Sequence, residues 1–298
     1  MMAKTMVSPT TGEVYKKKSQ FKSICKRFAK NKMAVVGLVI FALLIFMVIT
    51  CDFFFDYQND AIAQNISNRL QSPSLEHLFG TDQYGRDVLA RIVYGARISL
   101  IASLCIISVS TVLGALFGSI AAYYGGWVDN VIMRIMDVFY ALPFNLMAIC
   151  IVASIGGGII NLGIACVVGV VPGFTRIFRS AILPIREQEY VEAAKACGTS
   201  TARILIKHII PNAMGPIIVQ ATLNLAITIL AIAGLSYIGL GIESPTPEWG
   251  AMLSEGQEYM RNYPYLVIVP GCAMLISALS LNMIGDGLRD ALDPKLKK

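Results

Sequence analysis

Charged residues are scarce in this sequence. Asp, Glu, Lys and Arg make up 15% of the 298 residues, whereas hydrophobic residues make up 55%, and the mean hydropathy is +0.63. A typical soluble domain is about one quarter charged, so this composition excludes an ordinary soluble fold and predicts an integral membrane protein. The net charge of +6 comes from tails and loops without interleaved aromatic residues, which argues against nucleic-acid binding.

Residues and motifs that carry catalytic or metal chemistry are also few. The two histidines, His77 and His208, lie far apart and no HExxH motif occurs, so no metal site is predicted. The seven cysteines form no CxxC pair, which argues against a disulfide or zinc framework. Neither GxxxxGK[ST] nor GxSxG occurs, so any ATP must be bound and hydrolysed by another protein, and an intramembrane enzyme is the least favoured interpretation.

Long apolar runs, by contrast, are abundant. Six of them can cross a hydrocarbon core of about 30 Å at a rise of about 1.5 Å per residue. The predicted spans are residues 33–55, 98–123, 131–154, 159–178, 213–238 and 265–285. Pro143, Pro172 and Pro270 fall within these spans, where membrane helices tolerate proline, often at a kink. The predicted fold is therefore all-α, with six transmembrane helices.

Basic residues are distributed unevenly between the segments that join these spans. Residues 1–32 hold nine of them, including Lys16, Lys17 and Lys18, and are interpreted as a retained cytoplasmic tail. With this tail inside, twenty of the 25 Lys and Arg residues face the cytoplasm, including Lys295, Lys297 and Lys298 of the C-terminal tail, 286–298. The positive-inside rule therefore predicts cytoplasmic termini and a cytoplasmic location for residues 175–212.

The N-terminal tail also contains an amphipathic pattern. Phe21, Ile24, Cys25 and Phe28 fall on one face of a helix whose other side is rich in lysine. This pattern predicts a helix lying flat on the inner leaflet; a merely solvated tail is the alternative.

Two extracytoplasmic segments have patterns of their own. In residues 56–97, Val88, Leu89, Ile92 and Val93 recur at helical spacing, which predicts a short amphipathic helix leading into the span at 98. The second segment, residues 239–263, contains Trp249 and Tyr263, which suit an interfacial aromatic belt. We expect most of its acidic residues to be solvated: Glu243, Glu248, Glu255 and Glu258.

A polar stretch between two spans has the pattern of two short helices. Residues 192–195 favour a helix, Gly198 suits a left-handed helix end, and Thr199 or Ser200 can cap a second helix that ends before Pro211. Such a helix–turn–helix next to membrane spans could bind a soluble partner, although an ordinary solvated loop fits the spacing equally well.

Polar residues within the spans are mild ones. Asn145, Asn161, Asn224 and Asn282 could line a polar path or could only form hydrogen bonds between helices. Intramembrane charge is nearly absent, which weakens a proton-coupled transporter. Two GxxxG patterns, at Gly114 and Gly118 and at Gly169 and Gly173, predict faces for close helix packing, for which a second membrane subunit is one candidate partner.

Four ordered motifs, together with the region after Lys26-Arg27-Phe28, resemble one family: the inner-membrane permease subunits of ABC importers for peptides and nickel, of the dipeptide/oligopeptide permease C type. In its EAA loop, which is residues 187–212 here, the characteristic residues are Glu192-Ala193-Ala194, Gly198 and His208-Ile209-Ile210-Pro211. His208 stands where the general family pattern has Ile, and this ending of the motif resembles the one that is usual in the peptide branch of the family. The other motifs are HLFGTD (77–82) with GRDVL (85–89) and YGARISL (94–100), LSYIGLG (235–241) with PTPEWG (245–250), and GDGLRDALDP (285–294).

This resemblance implies a type I ABC importer permease fold, with a core at residues 98–285, and half of a translocation pathway for di- and oligopeptides. The implied partners are a homologous second permease of the B type, two cytoplasmic ATPases that use ATP and Mg²⁺, and an extracytoplasmic solute-binding protein. The implied ATPase contact is the EAA helix, with Glu192, Ala193, Ala194, Gly198 and Arg203 as its residues. No cofactor is expected on this chain. Nickel or another small solute as cargo, and a stand-alone ion-coupled transporter, are the alternatives.

Overall fold

The computed structural model describes residues 6–7, 14–15 and 20–292. The tail residues Lys16, Lys17, Lys18, Lys295, Lys297 and Lys298, together with the side chain of Phe21, lie outside the described residues. Two short strands, β1 (Met6–Val7) and β2 (Val14–Tyr15), pair antiparallel. All other regular elements of the described part are helical.

The first two helices form a corner against the last one. Helix α1 spans Gln20–Phe28 and α2 spans Lys32–Phe54. Asn31 caps α2 by accepting a hydrogen bond from the Ala34 backbone N–H at 3.2 Å, and its side-chain amide donates to Asp290 at 3.0 Å. Asp290 belongs to the final helix, α11 (Tyr265–Leu292), which continues seven residues beyond the predicted end of the last span at 285.

The second long helix differs from the predicted helix-and-span arrangement. After a π-helical turn at Tyr57–Ile62 and a 3-10 turn at Ile66–Asn68, a single helix α3 runs from Val88 to Tyr124. Asp87 caps it by accepting a hydrogen bond from the Ala90 N–H. The predicted amphipathic helix and the span at 98 are thus one element, because no proline or capping turn separates them.

The predicted span 131–154, which contains Pro143, is broken into two helices at this proline. It consists of α4 (Gly126–Ala141) and α5 (Phe144–Ile155), which meet at an angle of 88°. Leu142 is extended and Pro143 precedes α5, as expected where a proline removes a backbone donor and disfavours helical geometry in the residue before it. The described chain therefore has five helices that can span a membrane, or six if this bent pair is one span.

The remaining helices extend beyond the predicted span ends. Helix α6 (Ile159–Arg186) passes the predicted end at Phe178 and contains two prolines. It is followed by α7 (Glu189–Ala196), α8 (Thr201–Ile204), a π-helical turn at Leu205–Ile209 and α9 (Ile210–Tyr237). The second short helix was predicted to end before Pro211. Instead, Pro211 lies in the first turn of α9, where a missing backbone N–H costs little.

Helix α3 packs along α6 through the first GxxxG pattern. A Cβ on Gly114 would lie 2.5 Å from the Phe174 Cβ, and one on Gly118 would lie 2.6 Å from the Phe178 Cβ. In the second pattern, a Cβ on Gly169 would meet the Phe144 ring at 2.5 Å. Gly114, Gly118 and Gly169 therefore permit close helix contacts within the chain, whereas a Cβ on Gly173 would meet nothing within 4 Å.

At the end of the molecule opposite the EAA loop, the prediction of solvated acids is wrong for two residues. Glu248 is fully buried and caps α10 (Trp249–Gln257) by accepting a hydrogen bond from Ala251 N at 2.9 Å. Glu255 lies 2.7 Å from Arg86 and 3.4 Å from Arg91, two buried guanidinium groups that also pair with Asp82.

Trp249 likewise departs from its predicted place in an aromatic belt. Its side chain is buried, and its indole N–H donates a hydrogen bond to the Ile92 carbonyl at 3.0 Å. This contact joins α10 to the N-terminal part of α3, so residues 249–257 form a packed helix instead of a loop.

Candidate functional site

The EAA loop is a helix, a sharp turn and a second helix, as the spacing predicts. At the end of α7, Gly198 adopts φ +73, and the Thr199 N–H donates to the Ala194 carbonyl at 3.1 Å. This left-handed end is the geometry in which glycine has no Cβ penalty. Ser200 stands at the cap position of α8 with extended backbone, but its side chain makes no capping hydrogen bond.

One face of this loop is anchored in the helical core. Val191, Ile204 and Ile209 are fully or almost fully buried and belong to one apolar cluster with Phe174 and Phe178 of α6. Because the same cluster includes the first turns of α9, the loop is packed against both helices that flank it. A displacement of α7 would therefore be transmitted through this cluster to α6 and α9.

Several polar contacts reinforce this anchorage. The Arg186 guanidinium donates a hydrogen bond to the Ala122 carbonyl at the end of α3 at 2.5 Å. The Lys195 ammonium lies 5.2 Å from the centre of the Tyr123 ring, within the range of a cation–π contact. The Arg186 contact thus joins the end of α6 to α3, and the Lys195 contact attaches the EAA loop itself to α3.

The opposite face of the loop is open. Glu192, Ala193, Gly198 and Arg203 are exposed, and Ala194 is half-buried. The structure places these five predicted residues on one short segment with a charged, small-residue surface. Ile206, which the sequence reasoning did not single out, is 66% exposed on the same loop. No clear signal in the sequence pointed to it, because Ile206 stands in the apolar run Ile204-Leu205-Ile206 and its exposure is set by the fold.

The four asparagines predicted as possible lining residues separate into two groups. Asn145 and Asn224 line a cavity of about 670 Å³ between α4, α5, α6 and α9. Asn161 instead donates to the carbonyls of residues 155–157 in the turn before α6. Asn282 is exposed on α11 and does not line this cavity. Asn161 and Asn282 therefore do not line this cavity, and a role of the four asparagines in a translocation path stays a prediction.

The cavity also has lining residues that the sequence reasoning missed. Gln220 and Thr228 lie one helical turn before and after Asn224, and this four-residue spacing was the signal that could have found them. Tyr140 lines the cavity from α4, and Gly173 from α6 contributes open backbone surface, since a Cβ there would meet nothing within 4 Å. Within the described chain, no charged side chain lines the cavity.

Two ion pairs connect α4 and α6 beside this cavity. Arg179 makes two hydrogen bonds of 2.6 Å to the two carboxylate oxygens of Asp129. Arg176 makes one of 2.7 Å to Asp137 Oδ1, and its guanidinium lies 4.1 Å from the centre of the Tyr140 ring. The Arg176 pair is therefore at the cavity rim, next to the lining residues Tyr140 and Ile177.

Two solved structures of ABC transporters each contain a chain with a similar fold. A chain of the MetNI methionine ABC transporter in an inward-facing conformation matches with a TM-score of 0.55 at 18% identity, covering 68% of this chain and 96% of that chain. A chain of an amino acid ABC transporter with histidines matches with a TM-score of 0.52 at 14% identity, covering 67% and 94%. These similarities concern the fold alone.

Curated relatives are similar over almost their whole length. The chain is 44% identical over 290 residues to the dipeptide transport system permease protein DppC of Alkalihalophilus pseudofirmus, covering 97% of this chain and 95% of the relative. It is 40% identical to the oligopeptide transport system permease protein OppC of Bacillus subtilis, covering 94% and 91%. It is also 40% identical to the glutathione transport system permease protein GsiD of Escherichia coli, covering 91% and 89%.

Two family models together account for most of the chain. Residues 19–73 match the N-terminal TM domain of oligopeptide transport permease C. Residues 114–298 match the binding-protein-dependent transport system inner membrane component, a match that covers more than half of the sequence. The chain therefore belongs to the family of binding-protein-dependent transport system inner membrane components, the multi-pass permease subunits of ABC importers.

Proposed function

We propose that this chain forms one half of the translocation pathway of an ATP-driven importer for dipeptides and oligopeptides. The cargo assignment rests on the relatives named for dipeptide and oligopeptide transport. The uncharged, amide-bearing cavity between α4, α5, α6 and α9 supports it, because amide side chains can both donate to and accept from a peptide backbone.

The EAA loop would be the contact for the ATPase subunits. The observation that carries this role is its two-sided construction, with Val191 buried in the core and Glu192 exposed one residue later. The short side chains of Ala193 and Ala194 would let a partner approach the helix closely. Gly198 permits the turn, and Arg203 adds a positive charge. ATP binding would shift the permease between states by favouring one position of this loop.

The remaining assignments complete the assembly. Both termini and the EAA loop would lie on the cytoplasmic side of a bacterial or archaeal cytoplasmic membrane, because that orientation puts most Lys and Arg residues inside. A homologous permease would supply the other half of the pathway, and an extracytoplasmic binding protein would deliver the cargo. This chain would be non-catalytic and without a cofactor; ATP and Mg²⁺ would be used by the two partner ATPases.

The test is uptake of labelled L-alanyl-L-alanine by proteoliposomes that contain the complete transporter and its binding protein. We expect uptake that requires ATP and is lost in Glu192→Lys, while the assembled complex still forms. Glu258→Lys, which makes the same charge change at an exposed position remote from the EAA loop, should retain uptake. Wild-type uptake in Glu192→Lys would remove the assigned role of the loop.

Two other outcomes would point to other functions. Uptake by this chain alone, driven by an ion gradient without nucleotide, would indicate a secondary transporter. ATP-driven uptake of nickel or glutathione but not of the dipeptide would keep the importer and change its cargo. Glutathione is the better supported of these two, because a relative of 40% identity is named for its transport.

A further inference from the structure

The ion pair at the cavity rim has unused hydrogen-bonding capacity. A guanidinium carries five N–H donors, and within the described chain Arg176 donates one hydrogen bond, from Nη2 to Asp137 Oδ1. Asp137 Oδ2 accepts none from the described residues. The two side chains are 37% and 46% exposed. Both partners can therefore accept a further ligand without first leaving a buried position.

Tyr140 connects this pair to the cavity. Its ring lies under the Arg176 guanidinium at 4.1 Å and also lines the cavity wall. A cation held over an aromatic face keeps its plane and its outward donors fixed. The positive group is therefore oriented at the rim, on the side of the cavity where α6 leads to the EAA loop.

A neighbouring pair on the same two helices lacks these properties. Arg179 and Asp129 satisfy each other through two parallel hydrogen bonds, and the Asp129 side chain is 15% exposed. Neither residue lines the cavity. This second pair has the geometry of a structural clamp between α4 and α6, and it provides a comparison for the first.

We propose that Arg176 and Asp137 bind the two charged ends of a peptide at the cavity rim, Arg176 the carboxylate and Asp137 the ammonium group. This inference rests on the proposed peptide-import function. A zwitterionic peptide needs partners for both charges when it leaves water, and the described cavity lining offers uncharged groups only. Exposed ion pairs contribute little net stability, so exchanging the Arg176–Asp137 contact for contacts with the peptide ends costs little.

The experiment measures peptide binding to the purified complex of both permeases and both ATPases, without the binding protein, by saturation-transfer NMR. The probes are L-alanyl-L-alanine, its N-acetyl derivative and its C-terminal amide. In the wild type, each capped probe should bind at least about tenfold more weakly than the free dipeptide, as expected for losing one hydrogen-bonded charge contact. Equal binding of all three probes would overturn the proposal without needing any variant.

The variants should give a crossed pattern. Arg176→Gln should lose the preference for a free carboxylate but keep that for a free ammonium group, and Asp137→Asn should do the reverse. Arg179→Gln should keep both preferences. If Arg176→Gln keeps the carboxylate preference, or if Asp137→Asn and Arg176→Gln lose the same preference, the rim pair is only structural and the proposal is wrong.

Failure of this inference can be told apart from failure of the proposed function. Wild-type proteoliposomes that import L-alanyl-L-alanine with ATP, from a complex whose binding ignores the peptide ends, would refute only the rim site. Wild-type proteoliposomes that import no peptide would refute the function on which the rim site depends, and the rim site with it.

Discussion

Truncation of Val191 should release the EAA helix from the core. The side chain is 0% exposed, and Val191→Ala removes two methyl groups from the cluster around Phe174 and Phe178. At about 0.8 kcal/mol for each buried group, with a further contribution for the cavity left behind, the docked position of α7 loses about 2 kcal/mol. That loss corresponds to about a 30-fold increase in the undocked population.

Hydrogen exchange of the α7 backbone amides in the assembled transporter measures this population. Val191→Ala should raise the exchange rate of residues 192–197 about 30-fold, while amides in the middle of α3 and α9 stay unchanged. A transporter with this variant should import less peptide for each ATP hydrolysed, because movement of α7 is no longer transmitted to α6. Ile206→Ala is the matched control, since the same loop exposes 66% of Ile206, and it should leave α7 exchange unchanged. Unaltered exchange in Val191→Ala would refute the anchoring role of this residue.

Three further changes test other parts of the structure. Gly114→Leu should destabilise the protein by at least about 1–3 kcal/mol through overpacking, because even a Cβ there lies 2.5 Å from its neighbour on α6. Glu255→Ala should cost about 3–5 kcal/mol, because it leaves the buried Arg86 and Arg91 with one carboxylate between them. Gly198→Leu should cost about 1–2 kcal/mol in the EAA turn, where φ is +73. Thermal unfolding measures the loss of stability in Gly114→Leu and Glu255→Ala. For Gly198→Leu the measurement is ATP-driven uptake, which should fall.

Each of these changes has a control at a comparable position. Gly173→Ala should be neutral for stability, because a Cβ there meets nothing within 4 Å. Glu258→Ala removes an exposed carboxylate of the same helical region and should also be neutral. Gly198→Asn should keep uptake, since asparagine tolerates the left-handed conformation. A control as harmful as its partner would contradict the contact assigned to that partner.

Features that depend on neighbouring residues were predictable from the sequence. Apolar runs located the membrane helices, and Gly198 marked the turn of the EAA loop because a left-handed helix end is a local requirement. Pro143 was recognised as a possible kink, but its 88° effect depends on how α4 and α5 pack against α6 and α9. Local patterns also predicted two elements where the structure has the single helix α3. The amphipathic pattern ends at residue 98, but this does not show whether the helical backbone ends there.

Features that depend on distant residues were not predictable. Glu255 and Arg86 are separated by 169 positions, so four acids in one segment gave no sign that one of them balances two buried guanidinium groups. The asparagines show the same limit. Asn145 and Asn161 both lie in apolar helices, yet Asn145 reaches the cavity and Asn161 satisfies three carbonyls of its own turn. The contacts of Asn161 are local, whereas the cavity position of Asn145 depends on how α5 packs beside α6 and α9.

Phe174 belongs both to the apolar cluster under the EAA loop and to the wall of the cavity. Its side chain is buried in the cluster that holds Val191 and Ile204, and the same residue lines the cavity. Protein interiors are close-packed, so a shift of the loop must displace the atoms between loop and cavity instead of being absorbed by empty space. Because Gly114 has no Cβ, α3 packs closely against Phe174 of α6, so a shift of α6 would also displace the atoms of α3 that contact it. The apolar cluster that anchors the EAA loop therefore reaches the cavity wall at Phe174, and the proposed ATPase movement at the loop would be transmitted through this cluster to the shape of the cavity.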